Sequence, residues 1–143
     1  MGAQDNMKIV QDLAQAIRDH DERQYGELFA EDAVIRAAGV PSALGGVIQG
    51  REQILQNFRQ LSAPTGLEIR TIFGDDTHVC AVERLSATFH GTQYLRGTGR
   101  PYTTYQCNVF RIEGGRIREQ TMYTNWLDVY VQAALVSLDL LRS

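Results

Sequence analysis

Five side chains in the second half of the chain have types and placements suited to chemistry on a small molecule. Arg84, within Val82-Glu83-Arg84-Leu85, is either a cation that holds a carbonyl or enolate oxygen or a structural partner for Glu83, Glu68 or Glu119. Gln106 and Asn108 stand two residues apart, so on a strand both amides share one face. There they either orient a ligand by hydrogen bonds or join backbone groups in the core. His90, beside Gly91, is either a general acid or base that titrates near neutral pH or an exposed loop histidine. Asp128 follows Tyr123, Asn125 and Trp126, where the last strand passes into a final helix. It is either a proton carrier or a charge favoured by the helix N-terminus.

The elements that must position these groups are legible from periodicity. Met7, Val10, Leu13, Ala14 and Ile17 form one apolar stripe at helical spacing. His20-Asp21 interrupts it, and a short helix with Tyr25, Leu28 and Phe29 follows, with Asp21 as its N-cap and Gln24 three residues on. A strand begins at Asp32-Ala33-Val34, with Asp32 as a connection residue. Residues 38–50 are rich in Gly and small apolar side chains, unlike a solvated linker, and are expected to lie over an apolar opening. A third helix runs from Arg51 to about Leu61, with Ile54, Leu55, Phe58 and Leu61 inward, and ends before Pro64 and Gly66.

From Leu67 to about Asn125 the chain reads as antiparallel sheet. Leu67, Ile69, Thr71 and Phe73 alternate with Glu68, Arg70 and Ile72, and Gly74-Asp75-Asp76 turns. Strands follow over 79–89, 102–112 and 116–123, joined by a Gly-rich connection over 91–101 and by Glu113-Gly114-Gly115. Tyr94, Tyr102 and Tyr105 suit a rim or an interface. Leu127, Val131, Ala134, Leu135, Leu138 and Leu141 then recur at the spacing of one closing helix. Helices first and long strands after define an α+β domain. Its expected form is a curved, largely antiparallel sheet wrapped around the N-terminal helices, a cone-shaped α+β barrel with a C-terminal helix. The outer side of such a sheet calls for a second copy of the chain, so a homodimer is expected.

Composition narrows the function classes. The 143 residues suit one domain over 1–143, 43% hydrophobic and 22% charged. A net charge of −3 argues against nucleic acid or an anionic membrane as the main partner. No apolar run approaches the roughly 18–20 residues of a membrane span, and the N-terminus lacks the apolar core of a signal peptide, so a cytoplasmic protein is expected. Cys80 and Cys107 read as two reduced thiols on a sheet, with a disulfide as the alternative that no motif supports. With His20, His78 and His90 they make no metal-ligand spacing.

Several phrases, in this order, resemble one family along nearly the whole chain. They are Leu28-Phe29-Ala30-Glu31-Asp32-Ala33-Val34, Gly50-Arg51-Glu52-Gln53-Ile54, Gly97-Thr98-Gly99-Arg100-Pro101-Tyr102 and Val109-Phe110-Arg111-Ile112-Glu113-Gly114-Gly115-Arg116-Ile117. The chain resembles the nuclear transport factor 2-like proteins, and among them the SnoaL-like polyketide cyclases, limonene epoxide hydrolase and ketosteroid isomerase. The resemblance implies a deep apolar pocket for a cyclic small molecule, and no cofactor or metal. In the register it implies, the inward residues are Ile35, Ala37, Arg84, Ser86, Thr88, His90, Thr104, Gln106, Asn108, Phe110, Gln120, Met122 and Thr124, with Trp126 at the rim. A slip of one residue brings in Glu83, Tyr105, Glu119 and Tyr123 instead.

Against the isomerase pattern the matching positions hold Ala37, Leu13 and Asn108. Against the epoxide hydrolase's Asp-Arg-Asp set they hold Ser86, Arg84 and Met122. The expected function is therefore a cyclase or isomerase for a polyketide- or terpenoid-like substrate. Arg84, Asn108 and Gln106 would hold an oxygen, and His90 or Asp128 would move a proton. A non-catalytic binding or dimerisation module and an epoxide-opening enzyme with a rearranged triad are the alternatives.

Overall fold

Apolar residues three and four apart turn Ala3–Asp19 into helix α1, which buries Val10, Leu13 and Ala14 on one side. The computed structural model describes residues 2–142, and the side chains of Leu140 and Leu141 lie outside the described residues. His20 ends α1 with φ 49°, a left-handed conformation that is costly for a residue with a Cβ. Its ring stacks on Phe58 at 4.5 Å. Nε2 meets the carbonyl oxygens of Phe58 and Leu61 at 3.2 and 2.6 Å, so Nε2 carries the proton and donates. Helix α2 (Glu22–Glu27) begins at Asp21, whose side chain accepts from the Gln24 N–H at 3.1 Å, which is the cap read from the sequence.

Six strands make one sheet: β1 (Phe29–Ala38), β2 (Val47–Gln49), β3 (Gly66–Gly74), β4 (His78–Thr88), β5 (Pro101–Glu113) and β6 (Arg116–Thr124). Their order is β2-β1-β6-β5-β4-β3. All neighbours are antiparallel except β1 and β6, which run parallel. β1 and β6 are neighbours although β2, helix α3 (Arg51–Gln60) and strands β3, β4 and β5 lie between them in sequence. The sheet is mixed and does not close into a barrel; β2 and β3 are its edges. Helices α1 and α3 pack on one face, where Phe29, Phe110, Ile54, Ile117 and Val10 are almost completely buried. Each such side chain stabilises the fold by about 1.5–3 kcal/mol relative to exposure.

Three local expectations differ from the structure. Phe29, expected on the short second helix, opens β1 instead. In β3 the pairing shifts between Ile69 and Thr71. Past that irregularity Ile72 packs against the core and Phe73 is 57% exposed, because an extra residue in a strand exchanges its faces. The expected single C-terminal helix is two, α4 (Trp126–Gln132) and α5 (Leu138–Arg142). Ala134 at φ 61° ends the first, and the Leu135 N–H donates to the Tyr130 carbonyl at 2.8 Å. Val129 and Ala133 are buried while Leu127 and Leu138 are exposed; the expected position at Leu141 lies outside the described residues. Cys80 and Cys107 are both free thiols on the sheet. Adjacent strands β4 and β5 bring the two sulfurs to 3.2 Å from each other.

Among the described residues no helix is long and apolar enough to cross a membrane.

Candidate active site

Alternation along β4 decides which chemistry enters the molecule. Val79 and Ala81 are fully buried on the helix-covered face, so Glu83, Leu85 and Ala87 must follow them there. All three line a cavity of about 310 Å³ between the sheet and the helices. Cys80, Val82 and Arg84 face the other way. Strand β5 contributes Tyr102, Gln106, Asn108 and Phe110 to the same cavity, and β6 contributes Gln120 and Met122. Apolar walls come from Leu13 and Ile17 of α1, Phe58 of α3, and Ile35 and Ala37 of β1. Residues 38–50 supply Val40, Leu44 and Ile48 to the lining, as their composition suggested. His90, Thr92 and Leu95 of the β4–β5 connection and Trp126, Val129 and Tyr130 of α4 complete it.

Glu83 is the one carboxylic acid among the described lining residues, and no Lys or Arg is among them. It is 5% exposed. Oε1 accepts from Gln106 Nε2 at 3.1 Å and from Asn108 Nδ2 in a short hydrogen bond. Asn108 Oδ1 in turn accepts from Gln120 Nε2 at 3.2 Å. Thr124 Oγ1 donates to Gln106 Oε1 at 3.3 Å. The amides are thereby fixed as donors toward the carboxylate. Burial pushes the Glu83 carboxyl above the ordinary glutamate range; the two amide hydrogen bonds and the more distant Arg18 oppose that push without cancelling it. Arg18 is committed elsewhere, since its Nε donates to the Leu67 carbonyl at 2.8 Å.

A second functional group enters from α2. The Tyr25 ring stacks on Phe58 with centroids 4.1 Å apart and leans on Phe29 at 5.0 Å. The residue lines the cavity and is 8% exposed. Its hydroxyl has no hydrogen-bond partner among the described residues, and burial holds its pKa far above that of a free phenol. A phenol so placed stays protonated and is free to donate to a bound oxygen.

The residues expected from the sequence divide clearly. Gln106, Asn108, Phe110, Gln120, Met122, Ile35, Ala37, Thr88 and Trp126 line the cavity, and exposed His90 stands at its mouth. Arg84 does not enter. It is exposed on the outer face, paired in register with Glu68 and Tyr105, because β4 takes the slipped register while β5 and β6 keep the expected one. Ser86 shares that outer face, where its hydroxyl meets Thr103 Oγ1 at 2.8 Å. Asp128 is exposed, and its carboxylate accepts from Gln132 Nε2 at 3.0 Å. Trp126, Val129 and Tyr130 take the inward side of α4, which turns Asp128 away. Thr104 is buried without lining the cavity, and Thr124 serves Gln106.

The hydrolase pattern already lacks both aspartates here, with Ser86 and Met122 in their places, and its matching Arg84 lies outside the cavity. We expect Arg84→Ala to change stability by no more than about 0.5 kcal/mol and to leave ligand affinity and turnover unchanged, checked by thermal melting and titration.

In the sequence Glu83 stands only as a partner of Arg84 or the product of a slip, and Tyr25 only as one of the residues on the inward side of a short helix. A signal for Glu83 was present. Positions 79, 81, 85, 87 and 89 are Val, Ala, Leu, Ala and Phe, and Glu83 is the lone polar interruption of that buried set. Among the described residues no three His, Cys, Asp or Glu side chains converge as a metal site requires.

The chain belongs to the SnoaL-like domain family, whose model matches residues 10–120. Solved structures share the fold at low sequence identity. An LEH-like epoxide hydrolase from M. tuberculosis is 18% identical with a TM-score of 0.72, covering 97% of this chain and 96% of its own. A protein from Jannaschia sp. CCS1, assigned as a SnoaL-like polyketide cyclase, is 13% identical with a TM-score of 0.77, covering 94% of each chain. A protein with a ketosteroid isomerase-like fold from Catenulispora acidiphila, solved with trimethylamine, is 21% identical with a TM-score of 0.68, covering 88% of this chain and 92% of its own. No curated protein matches the sequence.

Proposed function

We propose that the protein is a cofactor-independent cyclase or isomerase that acts on a neutral, apolar carbonyl compound of polyketide- or terpenoid-like type. The observation that carries this reading is Glu83, a carboxyl buried in an apolar cavity with two amide donors and no cation among the lining residues. A carboxyl in such a setting exchanges protons more readily than one locked in a salt bridge. Family membership and the polyketide cyclase assignment of a fold neighbour support the same direction.

The step follows from the groups present. Glu83, as carboxylate, takes a proton from the carbon next to the substrate carbonyl. Tyr25 donates a hydrogen bond to the carbonyl oxygen, where negative charge gathers. In a β,γ-unsaturated substrate the dienolate takes the proton back from Glu83 at the γ-carbon, which is isomerisation. Otherwise the enolate attacks a second carbonyl and closes a ring, and the resulting alkoxide takes the proton from Glu83, which returns to carboxylate. Asn108 and Gln106 aim the carboxylate, and the apolar walls fold a flexible substrate. Such confinement is worth up to about 7–11 kcal/mol in favourable cases. The absence of Lys and Arg from the described lining disfavours anionic substrates.

The test is hydrogen exchange at carbon. In deuterated water, cyclic ketones such as 1-tetralone and 2-tetralone are followed by proton NMR with and without protein. The reading expects protein-dependent loss of the hydrogens next to the carbonyl for at least one ketone that the protein binds. Ketones that bind without any accelerated exchange would overturn it and favour the non-catalytic binding module.

A further inference from the structure

The outer face of the sheet carries a chemistry unrelated to the cavity. Cys80 lies opposite Val109, and Cys107 opposite Val82, so the two thiols are diagonal neighbours on one side of the β4–β5 pair. Both are half-buried, and their sulfurs are 3.2 Å apart. That separation is closer than two non-bonded sulfurs ordinarily approach, and a disulfide needs about 2.05 Å. Closure therefore asks for about 1 Å of relative sulfur movement. Twenty-seven positions separate the two residues in sequence, and only the strand register joins them.

We propose that Cys80 and Cys107 form a reversible disulfide site, closed by a low-molecular-weight disulfide of the glutathione type. In the first exchange one protein thiolate attacks the small disulfide, forms a mixed disulfide and releases one small thiol. In the second, the neighbouring protein thiol loses its proton, attacks the protein sulfur of that mixed disulfide and expels the other small thiol. The protein dithiol is oxidised by two electrons, and the small disulfide is reduced to two thiols. The proximity of the sulfurs makes the second step intramolecular, which favours the protein disulfide over a lasting adduct.

The bond has a defined structural consequence. It ties β4 to β5 on the face opposite Glu83, Gln106 and Asn108, and it encloses residues 80–107 in a covalent loop. That loop contains the β4–β5 connection with His90, Thr92 and Leu95 at the cavity. Shortening the unfolded chain's freedom in this way raises stability, so the oxidised protein should melt several degrees higher than the reduced one.

The experiment treats the reduced, folded protein with excess oxidised glutathione and follows intact mass, free thiols and melting temperature. The expected result is loss of both thiols together, a mass lower by two hydrogens, no glutathione adduct, a higher melting temperature, and reversal by dithiothreitol. A peptide map should show Cys80 linked to Cys107, a readout that needs no variant. Cys80→Ser and Cys107→Ser should each retain a single thiol or one glutathione adduct and show no rise in melting temperature. Three results would overturn the proposal: two stable glutathione adducts on the wild type, a disulfide-linked dimer, or both thiols untouched while the urea-unfolded chain oxidises.

Discussion

Glu83→Gln should lower turnover by about 10²–10⁴-fold, the range in which a positioned general acid or base contributes, while the protein stays folded. The substitution keeps the size of the side chain and removes its ability to carry a proton. Oε1 still accepts from Gln106 and Asn108, so the amide chain on the cavity floor survives. Substrate affinity should change little, because the loss falls on the proton-transfer step rather than on apolar binding.

The pH dependence has a definite sign. Burial raises the Glu83 carboxyl, so the folded state holds the proton more tightly than the unfolded chain, where glutamate titrates near about 4.3. The stability linked to this group is fully present below that ordinary value and is lost as pH rises through the raised folded value. The neutral glutamine carries no such penalty. The Gln variant should therefore gain melting temperature relative to wild type as pH rises toward neutrality. In wild type the same titration should appear as an activity that increases with pH, because the carboxylate is the base, and this limb should vanish in the variant. An unchanged rate in a folded Glu83→Gln protein would remove the carboxyl from the chemistry.

Tyr25→Phe should reduce turnover by about 10²–10³-fold, the cost of deleting one donor to a developing oxyanion. Ring stacking on Phe58 and Phe29 is retained by phenylalanine. The lost hydroxyl has no protein partner among the described residues, so no buried group is stranded and stability should hold or rise slightly. That separation is diagnostic. A structural tyrosine would lose stability and leave the rate per folded molecule intact, whereas a catalytic one loses rate and keeps its melting temperature. The measurement pairs thermal melting with steady-state kinetics. Phe89→Leu, an apolar exchange at another lining position, serves as a control for simple changes of cavity shape.

Much of the scaffold was readable because it rests on periodicity. The stripe of α1, the Asp21 cap and the alternation of β5 each depend on nearest-neighbour spacing that a sequence displays directly. The failures occur where one residue shifts a whole face. The irregularity after Ile69 exchanges Ile72 with Phe73, and nothing in Leu67 to Phe73 marks it. On β4 the implied register put Arg84 inside, but burial is decided by the apolar set from Val79 to Phe89, and Glu83 belongs to that set. A buried carboxylic acid breaks the usual pattern of charge outside, and it does so here in the lining of the cavity.

Other parts of the site depend on contacts remote in sequence. Tyr25 acquires its character from Phe58, which lies on another helix, and no local signal distinguishes a stacked phenol with a free hydroxyl from an ordinary core aromatic. The same holds for Cys80 and Cys107, which only strand register brings into contact. Asp128 lies outside the cavity for a geometric reason: on a short helix Trp126, Val129 and Tyr130 already claim the inward side.

The most direct test of the account is an NMR titration of the Glu83 carboxyl, using carbon-13-labelled glutamate and Glu83→Gln to assign the signal. A proton-transfer group in an apolar cavity without a counter-cation should titrate above the ordinary glutamate value, and should move further up when a bound cyclic ketone excludes water. A midpoint at or below the ordinary value, unmoved by ligand, would show that Gln106 and Asn108 hold a permanent structural carboxylate, and would contradict the assignment of Glu83 as the base.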